Sequence, residues 1–198
     1  MPKYFEFEVS LSDVVPRIWR RFLIREDVTF MDLHETIQDA CRWSGSHLFV
    51  FHTPDEEAIA GLPDDGYTDG PDPDAMEIKL SSYFGPGLRT LCFYIYDFGD
   101  AWELEVRLLD VRELPEDFER RFVDGARAFP KEDCGGLSGY EDCVRVATTG
   151  KDQDGLLEWL SGWHPEKFDP VSLRRDLEEP SLLKMFRPAK RNARKRSR

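Results

Sequence analysis

The sequence predicts an α+β fold: a mixed sheet packed on one main helix, followed by a helical C-terminal extension. Three observations predict it. Apolar and polar residues alternate through KYFEFEVSL (3–11) and again through RIWRRFLI (17–24), the period-2 pattern of strands with one buried face. A capped run with helical spacing starts at Thr29. Two further alternating segments, LCFYIY (91–96) and WELEVRLLDV (102–111), flank a five-residue turn.

The first two segments are joined by Asp13, Val14, Val15 and Pro16, a turn-compatible stretch in which proline can start a strand but not sit inside a central one. They read as a hairpin. In its second strand, alternation puts Arg20 on the face of Ile18 and Phe22, and Arg21 on the face of Trp19. Thr29 with Asp32 three residues later forms a capping-box pattern. Leu33, Ile37, Ala40 and Cys41 then repeat at the spacing of one buried helical face, and the helix is expected to end near Trp43-Ser44-Gly45. HLFVF (47–51) reads as a short strand. Residues 53–77 read as a long, mobile acidic loop crowded with Pro, Gly and Asp. The second hairpin turns through Asp97-Phe98-Gly99-Asp100-Ala101, with Gly99 expected at positive φ. The order β-β-α-β-β-β is that of a β-grasp-like sheet over one helix. Beyond Pro115 the expectation is loop and helix, with helices at 140–148, 155–161 and 171–178. A single domain over 1–180 follows, with its sheet part in 1–112, its loop and helical part in 113–180, and a basic flexible tail at 181–198.

With 198 residues and 40% hydrophobic content, including 14 Phe and 5 Trp, the chain can bury a core without disulfides. Cys41, Cys92, Cys134 and Cys143 show no CxxC spacing and are expected as reduced thiols. A signal-like N-terminus and an 18-residue apolar run are both missing, so the expected setting is cytoplasmic, with no membrane contact. The net charge of −12 hides an asymmetry. Residues 181–198 carry eight of the 27 basic side chains and no acidic one, leaving 19 basic against 39 acidic residues in 1–180, a net of −20. Such a body repels phosphate backbones, so nucleic acid could be met only through the tail or a local basic patch.

The blocks VVPRIWRRFLI (14–24), TFMDLHETIQDACRWSGSHLFVF (29–51), YDFGDAW (96–102) and FPKEDCGGLSGYEDC (129–143), in this order and spacing, resemble the plasmid pRiA4b ORF-3-like family. The resemblance implies a fold and a mobile-element or plasmid setting, and brings no established activity. Some family members carry a resolvase-like description, but a recombinase needs a nucleophilic Ser or Tyr among clustered arginines, and no such constellation is legible. Relatives commonly carry Cys at Phe122 and Phe129 and often His at Leu104, while Cys134 matches. The resemblance therefore implies that a thiolate or imidazole site, if the family has one, is largely lost here, and no metal or cofactor is expected.

Among single motifs, Asp97-Phe98-Gly99 spells the kinase magnesium triplet without its accompanying loops. Asp65 to Met76 lacks the Glu that closes an EF-hand. Pro54-Asp55 with Glu77-Ile78-Lys79 imitates a nuclease pattern in a segment where Pro-Asp pairs abound. Asp97 and Asp100 could hold a metal or act as an acid/base pair, but Asp at a hairpin turn more often accepts backbone N–H bonds. Arg17, Arg20 and Arg21 around Trp19 suit anion recognition or internal pairing with carboxylates such as Asp97 and Asp100, the latter being favoured in so acidic a chain. His34 reads as a partly exposed boundary residue and His47 as the better functional candidate. The expected functional surface comprises Arg17, Trp19, Arg20, His47, Asp97, Asp100, Trp102, Asp133 and Cys134. The leading reading is a non-enzymatic protein-interaction module with Trp102 in an exposed aromatic patch. The alternatives are nucleic-acid association through Arg187, Lys190, Arg191, Arg194, Lys195 and Arg196, and a metal-dependent hydrolase built on Asp97, Asp100 and His47.

Overall fold

The computed structural model describes residues 1–62, 73–153 and 155–178. It contains seven strands: β1 (Lys3–Leu11), β2 (Trp19–Arg25), β3 (Phe49–His52), β4 (Ala58–Gly61), β5 (Leu91–Tyr96), β6 (Trp102–Glu113) and β7 (Arg120–Ala126). They form one sheet in the order β4-β3-β5-β6-β1-β2-β7. The α+β class holds, and every ladder between these strands is antiparallel where a mixed sheet was expected. Two strands lie where loop was expected: β4 within the acidic segment, and β7 in the part assigned to loop and helix. The expectation for residues 63–72 and for the tail falls outside the described residues.

Helix α1 (Phe30–Cys41) is closed at its start by both halves of the Thr29–Asp32 capping box and at its end by Arg42 in the left-handed region. Its Phe30, Leu33, Ile37 and Ala40 pack on Phe5 and Phe7 of β1, Phe22 of β2, Phe49 and Phe51 of β3 and Tyr94 of β5. Fully burying side chains of this kind is worth about 1.5–3 kcal/mol each before chain entropy is counted. One helix face can thus hold the centre of the sheet. The same core runs on to Leu173 and Leu177 of α4 (Pro170–Glu178), while α2 (Gly136–Thr149) and α3 (Leu156–Leu160) share a small cluster of Cys143, Val146 and Leu160. Buried Arg120 on β7 ties the layers together, donating to the Leu177 carbonyl and pairing with Asp39 of α1.

His34 departs from expectation: it is buried, not at the boundary. Its ring stacks on Phe49 with centroids 3.7 Å apart, and Nδ1 sits 2.7 Å from the Tyr94 hydroxyl. Gln38 Nε2 donates to that same hydroxyl at 2.8 Å. The Tyr94 O–H is therefore free to donate to a neutral His34, and desolvation lowers the imidazole pKa to about 3. The helices direct their buried side chains into the core or its satellite. Among the described residues, the opposite sheet face carries no helix.

Candidate functional site

Three loops meet at one end of the sheet. The segment after α1 enters through Trp43, whose indole stacks on Tyr96 at 5.1 Å and donates to the Pro130 carbonyl. That bond brings residues 130–135 alongside. Glu132 is then fixed by three donors: the Ser44 backbone N–H at 2.8 Å, the Ser44 hydroxyl at 3.1 Å and the Tyr96 hydroxyl at 2.5 Å. Burial and the adjacent Glu132 carboxylate push the Tyr96 phenol up to about 12, which keeps it a donor. With Glu132 held, Asp133 comes next to His47, its Oδ1 3.2 Å from Nε2.

On the other side of His47 stands Asp97, Oδ2 lying 3.6 Å from Nδ1. Asp97 takes positive φ (56°) and Ala101 does too (53°), whereas the expected position, Gly99, does not. The cause is local: Asp97 Oδ1 accepts the Gly99 N–H at 3.0 Å, closing the turn with the residue's own side chain. One carboxylate oxygen holds the turn and the other faces His47. Asp100 also serves structure, accepting the Gly135 N–H at 3.2 Å and so docking the hairpin on the start of α2. The structural use of turn aspartates is thus present at both positions.

Cys134 packs against the satellite cluster of Cys143, Val146 and Leu160, and burial pushes its thiol up to about 12. Such a thiol is protonated at neutral pH and a poor nucleophile. Cys41, Cys92 and Cys143 are likewise free thiols, all buried.

The arginine group divides. Arg17 binds Glu8 at 2.8 Å, and Arg21 binds Glu8 at 2.9 Å while lying 5.4 Å from the Trp19 ring centre. Their carboxylate partner is therefore Glu8, and Asp97 and Asp100 are engaged elsewhere. Arg20 turns into the protein and is buried. It donates to the carbonyls of Ala40 (3.1 Å), Trp19 (2.8 Å), Ala126 (3.0 Å) and Arg127 (2.8 Å), with its guanidinium 4.1 Å from the Phe168 ring centre. Desolvation draws its pKa down to about 10. Arg20 is a tie between β2, α1 and β7 and cannot be a contact surface. Trp102 is also misplaced by the sequence reading: it is 1% exposed, in the main core. An exposed aromatic patch therefore cannot be built on Trp102.

Of the expected residues, then, the fold gathers His47, Asp97 and Asp133, with Asp100 and Cys134 in the adjoining segment. Arg17 and Trp19 lie apart on the helix-free sheet face. Sequence reasoning missed Glu132, Tyr96 and Ser44, which position the cluster. The one local signal was Glu132 preceding Asp133 in KEDC. The basic tail residues lie outside the described residues.

The model of the plasmid pRiA4b ORF-3-like protein family matches residues 3–172, spanning every element from β1 into α4. The chain belongs to this family. It is 31% identical over 154 residues to the uncharacterized protein y4hQ of Sinorhizobium fredii, covering 77% of this chain and 78% of that one. It also resembles the crystal structure of a protein of unknown function, MM3350 from Methanosarcina mazei Go1, with a TM-score of 0.72 and 31% identity over 86% of this chain and 96% of that chain. These likenesses carry a fold and a plasmid-associated family, with no reaction attached. Phe122, Phe129 and Leu104 are all buried in the main core of this member. Among the described residues, no helix is long and apolar enough to cross a membrane.

Proposed function

We propose that the protein is a non-enzymatic interaction module that receives a partner protein on the helix-free face of its sheet. The observation that carries this reading is Trp19: half-buried on β2, on the face away from α1, with Arg17 and Arg21 beside it held in place by Glu8. Tryptophan and arginine dominate the energetics of protein interfaces, where a large ring excludes water and a guanidinium fork makes several hydrogen bonds. Across the same face, Phe93 and Ile95 of β5 are half-buried beside Glu105 and Glu103 of β6. A partner offering an apolar centre with a polar, hydrogen-bonding rim fits such a surface. The protonated Cys134 thiol and the structural duties of Asp97 and Asp100 also favour binding over catalysis.

The test is native mass spectrometry of protein purified from its own host at low salt, wild type beside Trp19→Ala. A complex of fixed stoichiometry that the substitution weakens by about thirtyfold or more, the scale of an interfacial tryptophan hot spot, supports the reading. A bare chain, or a complex indifferent to Trp19, removes it.

A second reading, nucleic-acid association through the tail, is favoured by the charge asymmetry between residues 181–198 and the rest of the chain. Its mark is ionic strength: binding through phosphate contacts weakens steeply with salt and vanishes on deletion of 187–198. Absence of binding by the full chain at low salt rules it out.

A further inference from the structure

The cluster at the sheet end has a chemistry separate from the Trp19 face. His47, Asp97 and Asp133 each present one ligating atom, and these three atoms lie within 4.8 Å of one another. We propose that they bind a single divalent first-row transition ion of the Zn²⁺ or Mn²⁺ kind.

Spacing is the first argument. Two ligand atoms at zinc bond lengths of about 2.0–2.1 Å from a tetrahedral ion stand roughly 3.3 Å apart. His47 approaches Asp133 through Nε2 at 3.2 Å and Asp97 through Nδ1 at 3.6 Å, so each carboxylate already stands near that spacing from one ring nitrogen. Because one nitrogen must serve a single ion, binding requires the imidazole to turn about its soft terminal torsion towards ligand atoms that already lie within 4.8 Å of one another.

The second argument is that the Asp97 carboxylate is held from behind and the chain bearing Asp133 is anchored at the preceding residue. Asp97 has one oxygen committed to the Gly99 N–H, and its side chain is only 13% exposed, so the remaining oxygen has a fixed direction. Asp133 follows Glu132, which is pinned by Ser44 and Tyr96. Both aspartates take left-handed backbone (φ 56° and 61°), a costlier conformation than the extended or helical alternatives. Supports of this kind around a ligand set orient it and raise affinity. The loop bearing His47 is tied to the same frame, since its N–H reaches the Tyr96 hydroxyl at 3.4 Å.

Ligand type sets the class of ion. One imidazole with two carboxylates and no thiolate suits zinc or manganese better than a soft ion such as Cu⁺. With three protein ligands the remaining positions face solvent, since the Asp133 side chain is 71% exposed. The ion would join three segments far apart in sequence: the loop after α1, the β5–β6 turn and the approach to α2.

The experiment is metal titration of the full-length protein by calorimetry with ZnCl₂ and MnCl₂, with the manganese-bound state also read by electron paramagnetic resonance. The expected result is one ion per chain in the wild type. His47→Gln and Asp133→Asn should each weaken binding by at least about a hundredfold, since removing a ligand costs no less than disturbing the groups that orient one, while Cys134→Ser leaves it intact. Thermal unfolding without metal should be nearly unchanged in the two ligand variants, and added ion should raise the midpoint of the wild type alone. The proposal is overturned if the wild type takes up no stoichiometric ion. It is equally overturned if uptake survives both ligand substitutions, or is lost in Cys134→Ser but kept in His47→Gln.

Discussion

The carbonyl oxygen of Cys134 lies 1.6 Å from where a Cβ on Gly139 would stand. No side chain can occupy that position, so the first turn of α2 closes on the KEDCGG segment only because residue 139 is glycine. Gly136 repeats the relationship more mildly: its φ is +66° and a Cβ there would stand 2.7 Å from the Asp100 carbonyl. Gly139→Ala is expected to destabilise the fold by about 3 kcal/mol, the upper end for forced overpacking. Gly150→Ala, at φ +69° with open space around it, should cost only about 1–2 kcal/mol of backbone strain. Urea denaturation of the two variants checks this, and equal stabilities would show that the first turn of α2 does not close on the Cys134 carbonyl as described.

Burial of His34 makes stability depend on pH in a defined window. The unfolded chain takes up a proton on this residue near 6.5, the folded chain only near 3. Between those values the unfolded state holds more protons, so stability is intact above about 6.5 and falls as pH drops towards 3. A single such proton gives a slope of at most about 1.4 kcal/mol per pH unit. Replacing His34 by Gln should lower stability at pH 7, because the stacking on Phe49 is lost, while flattening the slope between pH 6 and 4 by close to one proton. Parallel wild-type and variant slopes would place the imidazole in water.

The parts of this fold that were legible in the sequence are those set by neighbours in the chain. Alternation fixed β1 and β2, and Thr29 with Asp32 fixed the start of α1, because a capping box needs only four residues. β4 was hidden because four residues, AIAG, stand in a segment dominated by turn formers. β7 was hidden because RRFVDGA is an edge strand with charges and a glycine, and its partner lies a hundred residues away in β2. The site fared likewise. Alternation did put Arg20 beside Ile18 on the core face, but the internal partners expected for it were carboxylates such as Asp97 and Asp100, and those it finds are the carbonyls of Ala40, Ala126 and Arg127, brought in from distant elements. His47 and Asp133 meet across 86 positions through Glu132 and Tyr96, a relation no local pattern contains.

Arg20 offers a direct test of such buried satisfaction. Its guanidinium donates to four carbonyls at once; a lysine brings three donors on a single nitrogen and cannot reproduce the planar fork. Arg20→Lys would leave buried carbonyls unpaired and is expected to cost about 2–4 kcal/mol, at about 1–3 kcal/mol for each polar group stranded and with partial rescue by the ammonium. The loss should appear as a lower urea midpoint with an unchanged m-value. A variant as stable as the wild type would mean that these carbonyls are solvated and that Arg20 is not the tie described.

The two tryptophans of the hairpin strands separate core from surface. Trp102 is enclosed by Trp43 at 6.1 Å and the β5–β6 core, and its buried indole N–H finds no hydrogen-bond partner among the described residues. Trp19 stands half-buried on the other face, under Arg21. Truncating a core aromatic to alanine costs about 3–5 kcal/mol, a large part of the total stability of an ordinary domain, so Trp102→Ala should yield little folded protein. Trp19→Ala should leave near-native circular dichroism and lose no more than about 1 kcal/mol, the ordinary scale for a single substitution outside the core. The contrast matters because loss of partner binding is informative only in a chain that still folds. If Trp19→Ala unfolds as Trp102→Ala does, the helix-free face is part of the core and the interaction surface must be sought elsewhere.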